Sequence, residues 1–167
     1  MDECKFIFEI PSERVQVDGE DKPRWLSSKR LTVSLHERSA LYQMLTSWRG
    51  HPPSDAELDP SGDGFDISQM LGAGAMLSVS VGEKDNGGLY NKIEAITGLP
   101  KGIEVPQAES EPLLFDAYEP DMDMFEKLPK GIQDIIRKST QFAENPPDEK
   151  IPDENTGADP AGEECPI

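Results

Sequence analysis

A mainly β domain with flanking helices is the fold class this sequence predicts, and three observations predict it. Apolar and polar residues alternate in short runs at residues 5–10, 31–33, 77–81 and 89–97, the period of a strand with one buried face. One longer stretch instead carries Leu35, Leu41, Leu45 and Trp48, the spacing of an amphipathic helix. The rest is punctuated by 15 prolines and 14 glycines in 167 residues, which leaves room only for short elements.

In chain order, residues 5–10 read as a first strand with Phe6 and Phe8 on one face, followed by a polar loop at 17–23. Residues 29–33, with Leu31 and Val33 alternating, read as a second strand. Ser34 and Glu37 then have the Ser-x-x-Glu spacing of a capping box, so a helix is expected over 34–49, stopping at Arg49-Gly50. Residues 51–64 are rich in proline and turn formers and read as a surface loop, and 66–71 as one helical turn halted by Gly72. Leu77, Val79 and Val81 alternate, and residues 89–97 put Ile93 and Ala95 on one face. With Asp85-Asn86-Gly87-Gly88 between them, the two runs predict a hairpin. Residues 113–115 are expected to form a last strand. Ile132, Ile135, Ile136 and Phe142 are expected on a terminal helix entered at Pro129. Four or five short strands with one inserted helix predict a small barrel of the oligonucleotide/oligosaccharide-binding (OB) type. The expected organisation is a barrel core over 1–107, an extension over 108–143 whose helix packs on it, and an acidic tail over 144–167.

The formal charge of −17 is unevenly spread: residues 1–107 carry a net −6 and residues 108–167 a net −11. From Glu144 onward there is no aromatic residue and little apolar surface to offset the entropy of ordering, so the tail is expected to be disordered. Cys4 and Cys165 lie near opposite ends, which offers neither a disulfide framework nor a metal knuckle and fits a reducing compartment. No signal peptide or membrane span is read, so a soluble protein inside the cell is expected.

Catalytic chemistry finds few residues to work with. His36 and His51 are the only histidines, and neither has a second histidine four residues on for a metal pair. Residues 59–64 open like a calcium loop, but its twelfth position is Met70 rather than Glu. Gly72-Ala73-Gly74 lacks the third glycine of a dinucleotide fingerprint. No enzyme activity, cofactor or metal is expected.

What remains is a set of cations beside aromatic residues: Trp25 with Arg24, Lys29 and Arg30, Trp48 with Arg49, and Tyr90 with Lys92, joined by Lys101 in the Pro100-Lys101-Gly102 turn. Rings that stack bases and cations that follow phosphates are how single-stranded nucleic acid is held. Trp48 also shares the Leu41 and Leu45 stripe, which favours burial over stacking at that position.

Residues 34–41 (SLHERSAL), Ser47-Trp48-Arg49-Gly50, Phe65-Asp66-Ile67 with Leu71-Gly72, and Leu99-Pro100-Lys101-Gly102 together resemble a family of small bacteriophage proteins. Phe125-Glu126-Lys127-Leu128-Pro129 and residues 132–139 resemble its closing segment, so the likeness covers roughly residues 6–139. It implies a single-stranded DNA-binding accessory of replication or recombination, built on an OB-type barrel, in the cytoplasm of a bacterial host. The tip Glu163-Glu164-Cys165-Pro166-Ile167 is similar to the acidic tail ends of bacterial single-stranded DNA-binding proteins. Such an end implies recruitment of replication or recombination enzymes, its apolar residue filling a pocket while the acids meet basic residues. Self-association is compatible with this role. The competing expectation is an acidic interaction protein that never touches DNA, such as a DNA mimic, a host-protein inhibitor or an assembly factor.

Overall fold

The computed structural model describes residues 2–62 and 64–144. They divide into two compact units, 2–113 and 114–144. The expected tail lies outside the described residues, as does its tip, Glu163, Glu164, Cys165, Pro166 and Ile167; only Glu144 is described.

The first unit holds six strands in three antiparallel pairs. Strand β1 (Glu3–Cys4) pairs with β4 (Leu31–Thr32), β2 (Ile7–Val17) with β3 (Glu20–Ser27), and β5 (Met76–Glu83) with β6 (Leu89–Thr97). Among the described residues no ladder of hydrogen bonds closes these pairs into a barrel. The first hairpin occupies residues expected to be loop. Val17 and Glu20 pair across Asp18-Gly19, which both take positive φ, 53° and 83°. That is the two-residue turn whose twist matches antiparallel strands, and Asp-Gly is the pair that adopts it at least cost.

The helix α1 (Ala40–Arg49) begins later than the Ser34-x-x-Glu37 spacing predicts. Ser39 is its N-cap, with Oγ accepting from the Tyr42 N–H at 3.1 Å and donating to the Ser34 carbonyl at 2.6 Å. Ser34 instead accepts from the N–H of His36, a local turn that competes with helix. The real capping box lies at the same spacing twenty residues on, Ser54 with Glu57, and starts the short helix α2 (Asp55–Leu58) inside the expected loop. A 3₁₀ turn over Ile67–Met70, capped by Asp66, stands where a helical turn is expected.

The core of this unit gathers Leu31, Leu41, Leu45, Trp48, Met70 and Ile96, with Phe6, Phe8, Leu35, Leu77 and Ile93 packed around them. Helix α1 presses its Leu41–Leu45–Trp48 stripe against β4 and β6, and β3 runs beside β6. The expectation that Ile93 shares a face with Ala95 is corrected by a bulge. Ser78 pairs with Ala95 and its neighbour Val79 with Ile93, so Glu94 is the extra residue and Ile93 faces inward with Ile96.

At the junction of the two units, residues 113–115 form no strand. The single helix expected from Pro129 is two, α4 (Lys130–Arg137) and α5 (Thr140–Glu144), and an unexpected helix, α3 (Met122–Lys127), precedes them. Asp121 caps α3 through the N–H groups of Asp123 and Met124, and Ser139 Oγ accepts from Phe142 N–H at the start of α5. Phe115, Phe125 and Phe142 cluster with centroids 5.4–6.5 Å apart. The Arg137 guanidinium lies 5.0 Å from the Phe125 ring centroid. Among the described residues no helix is long and apolar enough to cross a membrane.

Candidate nucleic-acid interface

The structure separates the aromatic–cation pairs read from the sequence into those used internally and those presented outward. Trp48 is used internally. It is 6 % exposed, meets Phe6 edge-on at 5.6 Å and Phe8 at 5.2 Å, and donates its indole N–H to the Gly74 carbonyl at 2.8 Å. A ring covered on this scale has no face left for a base. Its neighbour Arg49 is engaged as well: its guanidinium holds both Glu57 carboxylate oxygens, at 2.9 and 3.4 Å, and lies 5.1 Å from the centroid of Phe65. Trp48 and Arg49 therefore knit α1 to the loop after it.

Glu57 is a residue that the sequence reading missed. Its carboxylate accepts from the Ser54 N–H at 2.7 Å and the Ser54 hydroxyl at 2.9 Å, in addition to Arg49. The Ser54 backbone bond, then the Ser54 hydroxyl, then Arg49 hold its carboxyl at about 2, below the ordinary 4.5. Because the folded-state value is depressed, the charged form stabilises the fold fully above pH 4.5, and that contribution disappears as pH falls toward 2. Glu57→Gln is thus expected to lower the thermal midpoint at pH 6. The gap to the unsubstituted chain should narrow between pH 5 and pH 2 in a midpoint-against-pH series; a constant gap would assign Glu57 no ionic role.

Trp25 sits on the other face of the first hairpin from Phe8 and is half-buried opposite Glu9. The Glu9 carboxylate accepts the N–H groups of Glu109 and Ser110 at 2.6 and 3.1 Å. Burial pushes the Glu9 carboxyl up, but hydrogen bonds from Ser110, Glu109 and Trp25 outweigh it and hold it below the ordinary range. Arg14 adds ion pairs to Glu109 and Asp21. The segment around 109–110 is thereby strapped to β2.

Tyr90 and Lys92 are presented outward. They lie on one face of β6, opposite Gly82 and Ser80 of β5. The Tyr90 ring lies close over Gly82: a Cβ there would stand 2.6 Å from Cζ, 2.8 Å from Cε1 and 2.9 Å from Oη. A side chain at 82 would have to displace the end of the Tyr90 ring, and Tyr90 is 43 % exposed. Lys92 reaches Glu94 at 3.0 Å, and the bulged Glu94 also accepts from Ser80 Oγ at 2.6 Å. The Ser80 hydroxyl, then Lys92, keep the Glu94 carboxyl below its usual range.

Lys29, Arg30 and Lys101 are exposed. Arg30 has Glu3 at 3.7 Å. Lys5, not singled out by the sequence reading, is half-buried; the backbone register sets it across from Lys29 and Arg30, and Arg30 is near enough to act on its charge. Among the described residues no group of three or more His, Cys, Asp or Glu side chains is arranged to hold a metal ion. No family model matches the chain, and comparison with curated proteins and with solved structures finds no match.

Proposed function

We propose that this chain is a non-catalytic single-stranded DNA-binding protein of bacteriophage type. It coats DNA during replication or recombination in the bacterial cytoplasm and recruits partner enzymes through its acidic tail. The observation that carries the reading is the Tyr90 ring, close over Gly82 and 43 % exposed, with Lys92 on the same strand face. A fixed, half-exposed ring stacks any base by its π-face, and a neighbouring cation follows the phosphate. An open OB-type arrangement is compatible with the element order, in which α1 stands between β4 and the last hairpin.

One observation favours the competing reading of an acidic interaction protein that does not bind DNA: Arg14, Arg49 and Lys92 each sit on a carboxylate. Fluorescence anisotropy of labelled oligothymidine, at low and physiological salt, separates the two. The full chain is expected to bind with a steep loss of affinity as salt rises. A chain ending at Ala143 is expected to bind more tightly, because an acidic tail competes for the same cations. Tyr90→Ala is expected to weaken binding by roughly 5- to 150-fold, from about 1–3 kcal/mol per stacked base. No binding by either length at any salt would sink this reading and leave the interaction protein.

A further inference from the structure

We propose that Lys5, Lys29 and Arg30 form a binding site for a phosphate-bearing anion at the bulge where β1 passes into β2; the inference rests on the single-strand reading and names the residues that take its phosphodiester. Cys4 pairs with Leu31, and Phe6 exchanges hydrogen bonds with Ser28, its carbonyl accepting the Ser28 N–H at 2.8 Å and its N–H donating to Ser28 Oγ at 3.0 Å. Between those two tie points one strand contributes Lys5 alone and the other contributes Lys29 and Arg30. That is the two-against-one count of a β-bulge, a device that re-aims side chains and is enriched beside functional sites.

The bulge gathers three positive charges from two strands. Like charges facing each other across an antiparallel pair destabilise it, and this chain places three cations together although its acids outnumber its cations by 33 to 16. The carboxylate paired with this cluster is Glu3, 3.7 Å from Arg30 at the long edge of ion-pair distance and itself half-exposed. Lys5 and Lys29 have no ion pair among the described residues. Burial, and next the nearby Arg30, push the Lys5 ammonium below its ordinary range. An anion seated among the three would relieve both costs, because it supplies the opposite charge at the point where the backbone already holds the cations together. The bulge itself is held by Ser28, which is 5 % exposed and has its hydroxyl donating to the Lys29 carbonyl at 2.8 Å.

The test follows the Lys5 side-chain methylene resonances, assigned with Lys5→Met, in the full-length chain titrated separately with oligothymidine and with inorganic phosphate. Lys5→Met keeps the apolar stem that the half-buried site packs, and Lys127→Met in the second unit serves as the control. Oligothymidine is expected to shift the Lys5 signals. Lys5→Met is expected to weaken binding about three- to tenfold and to reduce the salt slope by about 0.7, one phosphate's share on a single strand, while Lys127→Met changes neither. DNA binding with unmoved Lys5 signals and an unchanged Lys5→Met affinity would overturn this site and leave the single-strand reading standing. Phosphate-shifted Lys5 signals without DNA binding would keep the anion site and overturn the DNA reading. Silence toward both titrants would overturn both.

Discussion

Trp48→Ala is expected to cost the first unit about 3–5 kcal/mol, the range for removing a large aromatic side chain from a packed core. The substitution removes the ring that Phe6 and Phe8 pack against, and it leaves the buried-side Gly74 carbonyl without its indole donor. A loss of that size is a large share of the stability of a small domain, so the denaturation midpoint of the first unit should fall steeply. The check is chemical denaturation followed by circular dichroism, with Trp48→Phe as companion. Phe restores most of the apolar area but not the N–H, and should recover more than half of the loss. The same pair of variants distinguishes packing from stacking. Trp48→Phe is expected to leave oligothymidine affinity within about twofold, because a ring with 6 % exposure offers no face to a base; a tenfold drop in a folded Trp48→Phe chain would contradict the buried placement.

Phe125→Ala is expected to melt the second unit. Phe125 is 1 % exposed and is the ring that Phe115, Phe142 and Arg137 all meet. Removing it costs about 3–5 kcal/mol by the same rule. A segment of this length has little else to draw on, since short units bury a small fraction of their surface. Among the described residues only Phe125 and Leu128 are buried in it. Amide hydrogen exchange should therefore show protection lost along α3 and α4, with Phe125→Leu retaining most of it. Persistence of protected α4 amides in Phe125→Ala would show that its helices are held by other contacts.

Where the sequence was legible, a local pattern and its tertiary use coincide. The Leu41–Leu45–Trp48 stripe is buried, α1 stops at Gly50, the 3₁₀ turn stops before Gly72, and the β5–β6 hairpin turns where the Asp-Asn-Gly-Gly run stands. Where it misled, two local patterns were equally good and only the surroundings chose. Ser34-x-x-Glu37 and Ser54-x-x-Glu57 have the same spacing. The second is a capping box because Arg49 holds Glu57 in place from the end of α1, while Ser34 is drawn into a turn with His36 and Ser39. Asp18-Gly19 was a legible hairpin signal, overlooked because the charged residues around it read as loop. The Glu94 bulge was not legible: an inserted residue leaves the alternation looking continuous while reversing which side chains face inward.

The candidate site divides along the same line. Composition and spacing alone determined that the chain places aromatic residues beside cations, holds only two histidines, and concentrates its acidity after residue 107. Which of those pairs face outward was decided only by the tertiary structure, because a ring's availability depends on what the rest of the fold lays against it. Trp48 and Arg49 are consumed by Phe6, Phe8 and Glu57. Tyr90 stays exposed across from Gly82, which has no side chain to displace its ring. Lys5, unremarkable in its own neighbourhood of the sequence, meets Lys29 and Arg30 only because two strands distant in the chain come into register one residue out of step.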